Sequence, residues 1–235
     1  MKSSKMPLIF PSFSKLLYNV GQRKYLVLLV SFLVLIFGNT FTRDNQIFGV
    51  VNIYQNLLSG FFVFHHKKSL RFIILGIILV SVALDLFAND FSFTQTKSWH
   101  GILYLIFFSL VVKEVYIEVL RAKVVSTELL FAALCGFVLL CQIASFLFYL
   151  IDIYRPHSFS NTGEGVNILI NLNYFSFTTL LTIGFGDIVP VSLIAKRAVM
   201  FIGLMGHFYT VFVTGIIIGK YISANKSYSA AKLNS

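Results

Sequence analysis

Residues 174 to 190 read Tyr174-Phe-Ser-Phe-Thr-Thr-Leu-Leu-Thr-Ile-Gly-Phe-Gly-Asp-Ile-Val-Pro190, and the organisation of the whole chain follows from them. The apolar run leading into this stretch, 168–181, is about 14 residues long, short of the ~20 that a helix needs to cross the hydrocarbon core of a bilayer. It suits a half-helix that enters from one side and turns back. The turning segment, Thr182 to Gly186, alternates small or β-branched residues with glycine. Non-helical backbone at membrane depth leaves carbonyls unpaired, which is tolerated only where something else satisfies them. Glycines at 184 and 186 permit backbone angles that aim successive carbonyls the same way. Repeated around a symmetry axis, such oxygens form rings that replace the hydration shell of a cation, and the Thr182 hydroxyl adds a ring at the inner end.

The composition agrees with a membrane setting. Of 235 residues, 57% are hydrophobic and only 12% charged, and mean hydropathy is +0.83. Soluble domains carry about 25% charged residues, so too little charge is present to cover a water-facing surface. The 26 Phe and 11 Tyr exclude a solvated coil. Apolar runs of spanning length fall at 25–42, 46–64, 70–88, 99–116, 128–151 and 194–221. The expected fold is therefore an all-α membrane protein with six transmembrane helices and a re-entrant pore helix and filter loop between helices five and six. Four regions follow: a basic cytoplasmic N-terminus at 1–24, a four-helix membrane domain at 25–124, a pore domain at 125–223 and a cytoplasmic tail at 224–235. Arg23-Lys24 precede the first run without a small-residue cleavage site after it, so that run reads as a retained helix rather than a signal peptide.

Orientation comes from lysine and arginine in the flanks. With both termini cytoplasmic, fourteen of the 19 basic residues lie inside, among them Lys24, Lys67, Lys68, Arg121 and Lys220, and five lie outside. The acidic residues lean the other way, with Asp44, Asp85, Asp90, Asp152, Glu164 and Asp187 outside. The net charge of +10 is thus an orientation signal rather than a nucleic-acid footprint, since no basic stripe interleaved with aromatics accompanies it. Membrane lipid is the expected surrounding and no nucleic-acid partner is expected.

Thr182-Ile183-Gly184-Phe185-Gly186-Asp187 resembles the potassium-channel signature Thr-Val-Gly-Tyr-Gly-Asp, with Ile for Val and Phe for Tyr. The stretches from Thr127 to Phe159 and from Lys196 to Ser223 are similar to the outer and inner pore helices of six-helix bacterial potassium-channel-like proteins, so the resemblance covers roughly residues 120–223. It implies K⁺ held at Thr182, Ile183, Gly184 and Phe185, a filter completed by Gly186, and no cofactor other than the ions. Tyr174, Thr178, Thr179 and Asp187 are the expected support of the filter, with a Tyr174 hydroxyl bonded to Asp187 standing in for the tyrosine missing at 185. Gly206, 22 residues after Gly184, falls where this superfamily commonly places a hinge glycine, close packing by a small residue being the other reading. Thr210, Thr214 and Ile218 share one face of the same helix and are candidates for cavity or gate lining. One filter per chain closes no pathway by itself, so a homotetramer is implied.

Three functional readings stay open at this point. The first is a potassium-selective channel. The second is a weakly selective cation channel, which Phe185 and Leu181 (where many members carry a second threonine) allow. The third is a subunit of a potassium uptake transporter; those use degenerate filters, commonly four pore repeats per chain, and a soluble nucleotide-binding partner. No enzyme constellation is visible: no Ser/His/Asp set, phosphate loop or metal-ligand cluster.

Helix four lacks basic residues at every third position, which a voltage sensor needs, so voltage dependence is expected to be weak or absent. Asn45, Asn52, Asn56 and Ser59 are spaced to share a face of helix two, where interhelical hydrogen bonding is expected. His65-His66-Lys67-Lys68 reads as a headgroup anchor. Cys135 and Cys141 read as buried thiols, and His207 as a packed or hydrogen-bonded residue.

Overall fold

A computed structural model describes residues 24–37, 54–61, 68–86, 93–122, 125–163 and 167–233. The named helices are α1 (Lys24–Phe37), α2 (Lys68–Leu86), α3 (Phe93–Arg121), α4 (Thr127–Tyr154), α5 (Asn167–Leu180) and α6 (Leu193–Leu233), and residues 54–61 are helical as well. Among the described residues, three helical stretches are long and apolar enough to cross a membrane: Lys68–Leu86, Thr127–Tyr154 and Leu193–Ser223. Lys24–Phe37 is a shorter apolar helix. The expected run 99–116 falls within α3, whose second half bears Lys113, Glu114 and Glu118. The run at 46–64 lies mostly outside the described residues, as do Asn45, Asn52, His65 and His66.

Helix α4 organises the molecule. Ser126 caps its start, the hydroxyl accepting from the Leu129 amide at 3.2 Å, and Glu128 in the first turn suits the positive end of the helix dipole. Pro156 follows its end closely; proline disfavours α geometry in the residue before it, so the helix stops at Tyr154. Between these limits apolar side chains run all round the helix, as expected of one buried on several faces. One face, with Leu129, Ala132, Cys135, Leu139 and Phe146, joins a core shared with α1, α2 and α3. The other, with Cys141, Ala144, Phe148 and Tyr149, joins a second core with α5 and the start of α6. The two cores meet at this helix and at Leu169 of α5, which packs against both. Both cysteines are free and buried.

The first core is held by aromatic and polar contacts. Tyr104 and Phe108 of α3 pack on Phe146 of α4 with ring centroids 5.3 and 5.6 Å apart. Glycine at 60 gives room to Phe107, since a Cβ there would stand 2.5 Å from the ring. The buried Asn56 accepts from the Ser31 hydroxyl of α1 at 3.0 Å, an interhelical bond of the kind its position on helix two called for. At the other end of α3, Glu118 is bonded by Lys24 at 2.6 Å and by the Tyr25 hydroxyl.

Helix α6 is longer than the apolar run 194–221 implied and continues through residues of the assigned tail to Leu233. From Tyr221 onward the sequence has neither glycine nor proline to stop it, and Ala224, Ala230 and Ala231 favour helix. Tyr209 fastens α6 to α4 by donating its hydroxyl to the Ala133 carbonyl at 2.7 Å. Gly136 makes this possible, because a Cβ there would lie 2.1 Å from that hydroxyl oxygen. Tyr209→Phe is expected to cost about 1 kcal/mol, one net buried hydrogen bond. Gly136→Val, which drives the ring away, is expected to cost more, up to ~3 kcal/mol. Thermal unfolding of the two variants in detergent checks the order.

Candidate functional site

The stretch from 174 to 192 lies between α5 and α6, and its shape is set at the carboxyl end of α5. The last carbonyls of a helix have no partner inside it. Here the loop supplies them: the Thr179 carbonyl accepts from the Thr182 amide at 3.1 Å, and the Thr178 carbonyl accepts from both the Ile183 and Gly184 amides, at 2.8 and 3.3 Å. Thr178 and Thr179 thus support the loop through their backbone; the Thr178 hydroxyl itself turns back to the Phe175 carbonyl at 3.1 Å. With the loop's first amides bound to α5, its own carbonyls are left to face elsewhere. The carboxyl end of a helix also carries roughly half a negative charge, so the loop sits where a cation is favoured.

Three alternate residues of the loop have left-handed backbone: Thr182 (φ 58°), Gly184 (φ 59°) and Gly186 (φ 79°), while Ile183 and Phe185 between them do not. Alternation of hand from one residue to the next turns successive carbonyls toward the same side. Gly184 and Gly186 take these angles freely, and within the protomer a Cβ at either would meet nothing within 4 Å. Glycine is required there by conformation rather than by space. The left-handed backbone of Thr182 is the feature the sequence did not mark. A β-branched residue at positive φ is an outlier, costing on the order of 1–3 kcal/mol, and the bonds from residues 182 and 183 to the end of α5 hold it there.

Beyond the loop the chain meets two neighbours. Tyr174 on α5 lies beside Asp187, and the neighbouring carboxylate, with some desolvation, raises the pKa of the exposed phenol above its ordinary value. Residues 187–192 then run alongside 158–161: the Ser160 amide donates to the Val189 carbonyl at 2.9 Å and the Val191 amide to the Ser158 carbonyl at 2.7 Å. The Val189 amide donates to the Ser160 hydroxyl at 3.1 Å, and Phe159 and Pro190 form an antiparallel bridge. This strap is rooted in α4, where the buried Asp152 carboxylate accepts from the Ser158 and Phe159 amides at 3.0 and 3.4 Å. Phe148, Phe159 and Phe175 close a triangle of rings 5.3–5.7 Å apart beneath it. Asp152, Ser158, Ser160 and Ser192 carried no motif that would have marked them in the sequence; only the pairing of two distant loops reveals them.

On α6, Gly206 is buried and packs on Leu180, the last residue of α5; an added Cβ would stand 2.1 Å from a Leu180 methyl. The helix passes through Gly206 without a break, so the geometry displays the packing role of this residue. The Thr210 hydroxyl turns to the Gly206 carbonyl at 3.0 Å. Thr210, Thr214 and Ile218 are exposed in the protomer, away from the face of Ile202, Tyr209 and Val213 that packs inward. His207, expected to be packed or hydrogen-bonded, is exposed in the protomer, one residue round the helix from Gly206. Among the described residues no cluster of three or more His, Cys, Asp or Glu is placed to hold a metal.

A long helix, a half-length helix, a loop of alternating backbone hand and a second long helix follow one another here. Residues 136–223 match a family model described as "Ion channel", so this part of the chain is similar to an ion-channel domain, and both of its long helices are long and apolar enough to cross a membrane. The match begins inside α4 and leaves α1 to α3 outside it. No curated protein and no solved structure matches the chain.

Gly184→Ala and Gly186→Ala are each expected to destabilise the loop by about 1–2 kcal/mol, the cost of left-handed backbone for an L-residue, whereas D-alanine introduced at either position by semisynthesis is expected to leave thermal stability in detergent near that of wild type. The raised Tyr174 pKa means that the phenol keeps its proton at pH values where a free tyrosine has begun to ionise. The proton is lost only as pH rises through the raised value. Ultraviolet titration of wild type minus Tyr174→Phe is expected to show one phenol ionising above 10.0.

Proposed function

We propose that the chain is the subunit of a potassium-selective channel in which four copies surround one axial pore and K⁺ moves passively down its gradient. The observation that carries the reading is the alternation of left-handed backbone at Thr182, Gly184 and Gly186 in a loop whose first amides are bound to the end of α5. Carbonyls of Thr182, Ile183, Gly184 and Phe185, with the Thr182 hydroxyl, supply rings of oxygen in place of water. Gly186 ends the filter, and Asp187 and Tyr174 brace it. Fourfold assembly is supported by apolar surface left uncovered on one protomer around the filter and outer α6: Phe185 is 71% exposed and Met200 74%, more than a lone chain leaves bare without a partner or lipid to cover it.

The reading includes six spans, a re-entrant α5 entering from the outside, and cytoplasmic N- and C-termini in a bacterial plasma membrane. Residues 25–124 form the four-helix membrane domain in front of the pore. Within α3 the basic residues are Lys97, Lys113 and Arg121, which form no repeating array, so voltage dependence is weak. Gly206 doubles as packing contact and pivot of the inner helix, with Thr210, Thr214 and Ile218 lining the path below the filter. A weakly selective cation channel is the second reading, favoured by Phe185, which brings no hydroxyl to brace the loop.

Reversal potentials under bi-ionic K⁺/Na⁺ conditions, measured with purified protein in liposomes or planar bilayers, test the proposal. A potential near the K⁺ limit is expected for wild type, and a lower K⁺/Na⁺ permeability ratio for Tyr174→Phe. A wild-type potential near zero selects the weakly selective channel, and flux that requires ATP or a second gradient excludes both readings.

A further inference from the structure

Asp187 has contacts on two sides. Its side chain meets Tyr174 of α5, and its backbone carbonyl accepts from the Asn161 side-chain amide at 2.8 Å. Asn161 stands at the end of the strap in a left-handed conformation, φ 55°, which asparagine tolerates better than most residues. The strap is anchored on either side of it: Asp152 of α4 holds the amides of Ser158 and Phe159, and Asn171 of α5 donates to the Thr162 carbonyl at 3.0 Å. A rigid platform thus delivers one amide donor to the first peptide beyond the filter.

The filter needs such a hold at its outer end. Its inner end is bonded to α5 through Thr182, Ile183 and Gly184. At Gly186 the backbone is left-handed with nothing within 4 Å of a Cβ position, and Phe185 presents a largely exposed ring with no polar group. Packing within the protomer therefore does little to resist rotation of the peptide planes at 185–187. With its carbonyl held by Asn161, the Asp187 peptide resists rotation, and the Gly186 carbonyl one residue away keeps its direction.

We infer that Asn161 is a positioning residue of the pore, whose amide, by holding the Asp187 carbonyl, keeps the outer carbonyls of the filter in the ion-binding orientation. The inference rests on the channel reading above. Asn161 touches no ion; it acts through the backbone of Asp187.

Two substitutions separate this role from folding. Asn161→Gly keeps the left-handed backbone and removes the amide, and Asn161→Asp keeps the shape of the side chain but sets an acceptor against a carbonyl. Both are expected to assemble as wild type does. In bilayers at low external K⁺, their currents are expected to decay about fivefold faster than wild type, the scale of one hydrogen bond. High external K⁺ is expected to restore the wild-type rate, because an ion bound at the outer carbonyls favours the conformation that binds it. Wild-type decay in both variants overturns the inference, and so does faster decay that external K⁺ does not slow. Failure of Asn161→Gly to assemble assigns the amide to folding and overturns it as well. A wild-type protein that carries no cation current counts against the channel reading itself.

Discussion

The loop at 182–186 depends on one constraint: its carbonyls and amides form no regular secondary structure of their own, yet its backbone follows a defined path of alternating hand. Secondary structure ordinarily consumes such groups, and a loop that does not consume them has no bonds of its own to define it. The fold removes the freedom from outside. The end of α5 takes the loop's first amides, left-handed backbone at alternate residues sets the carbonyl direction, and the Asp187 contacts hold the far end. Because α5 is itself fixed against Leu180–Gly206 and the Phe148–Phe159–Phe175 triangle, the filter inherits the rigidity of two long helices.

Helix α4 is what makes that rigidity possible, since it is shared by two cores. Its Phe146 lies among aromatics of the first core while Phe148, two residues on, lies in the second. Among the described residues, α1 to α3 are linked to the later helices through α4, through Leu169 of α5, which packs against both cores, and at the inner end of α6, where Lys220 donates to the Val119 and Leu120 carbonyls at 2.6 and 3.1 Å. The same α3 terminus carries Glu118 and its bonds to α1. The domain outside the ion-channel match is thus bonded to the pore helices at the end of α6 remote from the filter.

Much of the site was legible from residue types alone. Gly-x-Gly after a short apolar run pointed to the loop, and Tyr174 with Asp187 pointed to the brace. Gly206 was marked by its position but not by its neighbour, because hinge and close packing ask for the same residue and only Leu180 against it distinguishes them. The strap was not legible at all. Asp152 at the end of α4 and Ser158 and Asn161 in the loop after it are ordinary residues, and the loop's role arises from its pairing with the chain about thirty positions on. Thr182 illustrates a further limit: its left-handed backbone is imposed by bonds to α5 against the residue's own preference, so no local propensity announces it.

By itself the sequence determined the class of environment, the half-length of α5 and the place of the carbonyl loop. Those depend on how much charge a surface needs, how many residues cross a bilayer, and which residue lacks a Cβ. Tertiary structure alone decided that α4 serves two cores, that Gly206 is a seat for Leu180, and that the chain beyond Gly186 pairs with the 158–161 strap. Each of these is a pairing between distant groups, and a pairing has no trace in either partner until the chain has folded.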